Sequence, residues 1–176
     1  MNLNPWATSS FDTVQMQKNQ LYVKIKKLEN YPSDIETLPQ YVDSGCSGFD
    51  IRTAIDFEIS EGQTILVPTG FCLQIPKGYE LQIRSRSGLA AKEGIFVLNG
   101  VGTVDSSYTG QIQVILHKAF APFTNTNSGK KTVSFRRGDR IAQGVFCPVY
   151  HGVFTEVEEL DKTERNDGGF GSTGIS

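Results

Sequence analysis

The sequence predicts an all-β domain, a sandwich or barrel of short strands, and three observations carry that reading. Apolar and polar residues alternate in short runs, Gly- and Pro-bearing turns separate many of the runs, and helical spacing is confined to residues 89–93. At 176 residues the chain has room for one domain that hides roughly 70% of its unfolded surface, and too little for two ordinary ones.

Residues 1–20 are polar and mixed, with Trp6 and Phe11 as their only aromatics, and read as a partly disordered N-terminal extension. A β domain over residues 21–160 follows. It opens on a half-buried strand with Leu21, Val23 and Ile25 on one face and Tyr22, Lys24 and Lys26 on the other. Further strands are expected at residues 55–59, 64–67, 71–75, 79–83, 95–98, 112–116, 132–135, 140–146 and 153–157. Glu61-Gly62, Pro68-Thr69-Gly70, Pro76-Lys77-Gly78 and Arg137-Gly138-Asp139 mark turns. Residues 125–131 form a polar loop, and residues 161–176 a glycine-rich C-terminal arm.

Seventeen basic against nineteen acidic side chains give a formal charge of -2, so no general attraction to nucleic acid or an anionic membrane follows. Any phosphate binding must be local. Cys46, Cys72 and Cys147 are odd in number, widely spaced and without a C-x-x-C pair, which points to free thiols in a reducing compartment. With His117 and His151 the only imidazoles, the donor set does not favour zinc. No apolar run approaches the roughly 20 residues that cross a bilayer. The first 20 residues lack a basic start and any Arg. The expectation is a cytoplasmic protein with neither membrane nor nucleic-acid contact.

The chemistry is expected in residues 100–110, G-V-G-T-V-D-S-S-Y-T-G, read as the tip of a β-hairpin between residues 95–98 and 112–116. The tip holds the Asp105 carboxylate and the Tyr108 phenol in fixed relation. A turn centred near Ser106 sets Asn99 opposite Gln113. Unpaired backbone groups in such a pocket could read the edge of a flat polar ligand; the alternative is a surface turn formed by Asp105.

Four other segments bear on that choice. Arg84-Ser85-Arg86-Ser87-Gly88 precedes the helical stretch and suits a phosphate, or is an exposed basic loop. Asp50 stands in a strand between Phe49 and Ile51, where a charge needs a partner; it salt-bridges an Arg or orients water on a metal. In Gly138-Asp139-Arg140-Ile141-Ala142-Gln143, Asp139 and Arg140 read as an ion pair, and Gln143, on the side of Ile141, could face a ligand. Within residues 165–174, Phe170 framed by glycines suits a base-stacking lid, Ser172 and Thr173 add hydroxyls, and Arg165 a fixed charge. Composition alone also allows a flexible linker there.

Taken in order, S-G-F-D-I, R-S-G-L-A, G-T-V-D-S-S-Y-T-G, G-D-R-I-A-Q and G-G-F-G-S-T-G closely resemble the five motifs of the trimeric deoxyuridine triphosphatases, the dUTP pyrophosphatase family. The likeness spans residues 21–174. It implies a jelly-roll-type β-barrel with a C-terminal arm, assembled as a homotrimer whose active sites draw on all three subunits. It implies a dUTP diphosphatase that releases dUMP and pyrophosphate, keeping uracil out of DNA and supplying dUMP for thymidylate synthesis.

By that resemblance Asp105 activates the water that attacks the α-phosphorus. Asp50 holds waters of a magnesium ion (Mg2+) carried mainly by the triphosphate. Arg86, Ser87 and Gly88 contact the phosphates from one subunit, with Gln143 nearby. Asn99, Thr103, Val104, Tyr108 and Gln113 come from a second, and Arg165, Phe170, Gly171, Ser172 and Thr173 close from a third. An ordinary Asp is a feeble base worth roughly 10² to 10⁴ in rate, so most acceleration is expected from metal, Arg charge and alignment. Two departures stand out: Asn166 where the family usually has Gly, which puts lid closure in question, and Ser85 where Pro is common.

A deoxycytidine triphosphate deaminase shares this fold, but that reaction resembles one needing a Glu where Ile115 stands. A nucleotide-sensing regulator that uses the same pocket to control a protein partner is a rival of another class.

Overall fold

In a computed structural model the described residues are 20–32, 38–120 and 132–168. The polar stretch at 125–131 and most of residues 1–20 lie outside them, as do Phe170, Gly171, Ser172 and Thr173.

Ten strands and one short helix follow in order: β1 (Lys24–Lys27), β2 (Phe49–Arg52), β3 (Phe57–Ser60), β4 (Thr64–Gln74), β5 (Tyr79–Ser85), α1 (Ser87–Glu93), β6 (Ile95–Val97), β7 (Gly102–Val104), β8 (Gln111–Lys118), β9 (Thr132–Phe135) and β10 (Arg140–Pro148). The class is all-β, as expected. Two four-stranded antiparallel sheets, β1-β4-β8-β6 and β2-β10-β5-β7, and a two-stranded sheet, β3-β9, make up the described body. The sheets are open; none closes on itself.

One apolar core joins all three sheets. Val67, Phe71, Ile112, Val114 and Leu116 come from the first, Phe49, Ile51, Leu81, Ile83 and Ile141 from the second, and Ile59 and Phe135 from the third. Alternation with period 2 explains the selection, since Ile112, Val114 and Leu116 are buried and Gln111 and Gln113 are not. Each such side chain removed from water contributes about 1.5–3 kcal/mol. Phe57 and Phe135 stack across the small sheet with centroids 4.7 Å apart.

Several expectations are corrected. Residues 64–67 and 71–75 are one strand, because Pro68-Thr69-Gly70 forms a bulge within β4 rather than a turn. The buried Thr69 hydroxyl donates to the Ile112 carbonyl at 2.7 Å. Gly70 takes φ 77° beside the Tyr31 backbone, where an added Cβ would come within 2.6 Å. Residues 153–157 form no strand: Val153 and Phe154 are almost wholly exposed, and among the described residues no strand edge receives them. Residues 100–110 are not a simple hairpin tip. β6 and β8 do pair, but the chain leaves them to lay β7 against β5 in the other sheet.

Candidate active site

The crossing of β7 between sheets builds a cavity of about 230 Å³ lined by Thr103, Val104, Asp105, Tyr108, Gln111, Ile112 and Gln113. Five of these seven are residues that the sequence marked. Asp105 to Tyr108 form a turn in which the Tyr108 N–H donates to the Asp105 carbonyl at 3.1 Å. The Tyr108 hydroxyl donates to the Gln111 carbonyl at 2.8 Å, which folds the ring back over the segment. That fold requires glycine at 110, because a Cβ there would stand 2.6 Å from the Tyr108 hydroxyl oxygen.

The expected register is off by one. Ile95 faces Lys118, Phe96 faces His117 and Val97 faces Leu116, so Asn99 does not face Gln113. Gln113 instead faces Pro68 on β4. Asn99 lies outside the cavity lining, its amide against Gly102. Gln111 and Ile112 were missed, although Gln111 shares a face with Gln113 at a spacing of two, a signal available in the sequence.

A second group forms around Asp50. Its side chain is 14% exposed, between buried Phe49 and Ile51, and its carboxylate meets Arg140 at 3.2 Å and Arg86 Nε at 3.7 Å. Arg86 also donates to the Arg140 carbonyl at 2.8 Å. Arg140 therefore pairs with Asp50 and not with Asp139, whose carboxylate accepts from the Arg136 N–H. Gln143 faces Asp50 on one side and Arg84 on the other. It does not share the side of Ile141: a bulge between Arg140 and Ala142 leaves Ile141 buried and Gln143 exposed. The end of β2 is pinned to the turn before β10 by Thr53 N–H to Asp139 O and Gly138 N–H to Thr53 O.

Positive charge dominates this group. Arg52 and Arg140 are directly opposite across β2 and β10, and Arg86 joins them around a single carboxylate. Burial first, and then the Arg140 guanidinium, lowers the Arg86 pKa from its ordinary value; Asp50 works the other way and Arg52 lowers it further. An arginine so placed keeps its proton at neutral pH and is short of anions. Ser87 and Gly88 open α1 directly after Arg86, with first-turn amides that have no intrahelical partner. Ser85 is structural, its hydroxyl accepting from the Val97 N–H at 2.9 Å.

In the arm, Thr163 and Asn166 exchange side-chain bonds with each other's backbone N–H, and Arg165 Nε donates to the Gly168 carbonyl at 2.8 Å. Asn166 takes φ 43°, a left-handed conformation that Asn adopts more readily than other non-glycine residues. The cavity, the arginine group and the arm are three separate constellations in one chain.

The dUTPase family model matches residues 35–174. The chain belongs to the dUTPase family. A deoxyuridine 5'-triphosphate nucleotidohydrolase of Bdellovibrio bacteriovorus is 45% identical over 161 residues, covering 90% of this chain and 99% of the relative. One from Wolinella succinogenes is 47% identical, covering 88% and 96%. Among solved structures, a mutant dUTPase of Staphylococcus bacteriophage 80alpha with dUpNHpp superposes with TM-score 0.72 at 23% identity, covering 88% of this chain and 99% of that one. A mutant dUTPase of phage phi11 of S. aureus, described with a structural Mg(II) ion, gives TM-score 0.66 at 22% identity, covering 80% and 99%. At those identities the two structures speak for the fold.

Proposed function

We propose that this chain hydrolyses dUTP to dUMP and pyrophosphate, with Asp105 orienting and deprotonating the water that attacks the α-phosphorus. The observation that carries this reading is the cavity that Asp105 and Tyr108 line together with Gln111, Ile112 and Gln113. Its volume suits a pyrimidine and its sugar but not a whole triphosphate. Thr103, Val104 and Gln113 supply the base contacts, Asn99 backs the segment at Gly102, and backbone groups of the segment accept from uracil N3–H and donate to O4. Cytosine reverses that pattern and would leave buried groups unpaired. Tyr108 packs under the sugar and leaves no room for a 2′-hydroxyl.

The triphosphate belongs on Arg86, Ser87, Gly88 and Gln143, where guanidiniums outnumber carboxylates. Because the cavity lining excludes all four, the site is completed by another copy, and we read the protein as a homotrimer with shared active sites. The exposed Tyr150, Val153 and Phe154 support the same reading, since the segment after Pro148 that carries them finds no cover among the described residues. Arg165 and residues 170–173 close over the nucleotide.

Among the described residues no group of three or more His, Cys, Asp or Glu could hold a metal. Asp50 is the carboxylate of the arginine group that would reach, through water, a magnesium ion; with Arg86 and Arg140 on either side, the ion's charge would have to be balanced mainly by the triphosphate. When bound, the ion would neutralise phosphate charge as the pyrophosphate leaves. Three free thiols support a cytoplasmic location. Among the described residues no helix is long and apolar enough to cross a membrane.

The test is pyrophosphate release from each deoxynucleoside triphosphate with magnesium. dUTP alone should be cleaved; deamination of dCTP, or no turnover of dUTP, overturns the reading.

A further inference from the structure

We propose that Lys118 is a positioning residue for the phosphate-binding segment, acting through the C-terminal end of α1. The inference rests on the hydrolase reading above. Lys118 is 2% exposed, the one charged side chain among the buried described residues. Burying an ammonium is costly unless it gains a strong partner. Its Nζ donates to the Glu93 carbonyl, the last of α1, at 2.6 Å. No described carboxylate lies within ion-pair distance of it, so the helix terminus is the partner that the fold provides.

The helix needs such a hold. Seven residues make a helix that is marginal alone, α1 buries none of them, and its N-cap Arg86 makes no side-chain cap bond. Leu89 gives only a half-buried contact with the core. The start of α1 is tied through Ser85, which pairs with Ala142, and through Arg86, which reaches Asp50 and the Arg140 carbonyl; its far end is tied by Ala119 N–H, which bonds the Gly94 carbonyl at 3.0 Å, and by Lys118, which bonds Glu93. Lys118 itself is rigid. It faces Ile95 across β6 and β8, its N–H bonds Gln63 O at 3.1 Å, and its carbonyl accepts from Gly62 N–H at 2.8 Å. A fixed strand thus holds one end of a rod about 10 Å long whose other end presents Arg86, Ser87 and Gly88. A tilt at Glu93 would displace the phosphate donors and leave the base cavity, built from β7 and β8, untouched.

Lys118→Met keeps the aliphatic stem and removes the donor. It should raise KM for dUTP about tenfold while kcat changes less than about twofold. The affinity for dUMP, which lacks the two outer phosphates, should stay unchanged. Lys118→Gln retains a donor and should recover KM to within about threefold of the unaltered protein. A lysine that only stabilises the fold would lower Tm and move dUTP and dUMP together or not at all, which would overturn the proposal. If neither variant folds, amide exchange on the unaltered protein decides. Protection of the Ala90 and Gly94 amides matching that of β8 supports the hold on α1, and exchange at loop rates overturns it. Absence of dUTP turnover in the unaltered protein would instead overturn the hydrolase reading and remove the ground of this one.

Discussion

Tyr108 and Gly110 are sterically matched: the phenol occupies the space that any Cβ at 110 would enter, at 2.6 Å from the hydroxyl oxygen and 2.7 Å from Cζ. Gly110→Ala should therefore expel the ring, at about 1–3 kcal/mol of stability. Removing the hydroxyl alone would not relieve it, because the ring carbon is nearly as close. Tyr108→Ala should. In a double-mutant cycle read by denaturant unfolding, the two changes together should cost less than their sum; strict additivity would show that the ring does not sit there in solution.

Asp105 enters its turn through its backbone carbonyl, which accepts from Tyr108 N–H. Asp105→Asn keeps that bond and removes only the base. Turnover of dUTP should fall by at least about a hundredfold, while a non-hydrolysable analogue binds as before. Single-turnover assay and calorimetry check the two halves, and substantial residual activity would remove Asp105 from the role of base.

Around Asp50 the prediction concerns charge. Asp50→Asn takes from Arg86 and Arg140 the carboxylate they share, with Arg52 directly opposite Arg140 adding to the positive charge. The partners are partly open to solvent, with Arg86 at 25% and Arg140 at 46% exposed, so the loss should be about 1–2 kcal/mol rather than the larger figure for a dry ion pair. Inorganic triphosphate should return more stability to the variant than to the unaltered protein. Thermal melts with and without it measure this, and equal shifts would argue that the arginines do not form an anion site.

The strand set was legible because period-2 alternation survives wherever one face is buried, as in Ile112, Val114 and Leu116. What alternation cannot show is a bulge. At Pro68 to Gly70 a turn signal hid a continuous strand held by Thr69, and at Ile141 the extra residue turned Gln143 to the opposite side. β7 was missed because three residues, Gly102 to Val104, are too few to display a period. Its partner β5 is separated from it by 18 residues even at the closest pairing, Ile83 with Gly102. The site's chemistry was legible as residue types, with Asp105 and Tyr108 in one cavity. The pairing of Arg140 was not, since Asp139 is its neighbour in sequence and Asp50 only in space.

The arm offers the last test. Residues 149–168 lie outside the sheets, and Tyr150, Val153, Phe154 and Leu160 are at least 86% exposed. Arg165 bonds only within its own turn, to Gly168. None of the described core residues lies in 165–176, so deleting that stretch should cost the body less than about 1 kcal/mol. The same deletion takes away Arg165 and the Phe170 segment that we assign to closure. kcat/KM for dUTP should drop by at least about a hundredfold while the assembly keeps its mass. Light scattering and a pyrophosphate assay on one preparation would show it; an unchanged rate would make the arm a linker, and a loss of assembly would make it a subunit tie instead.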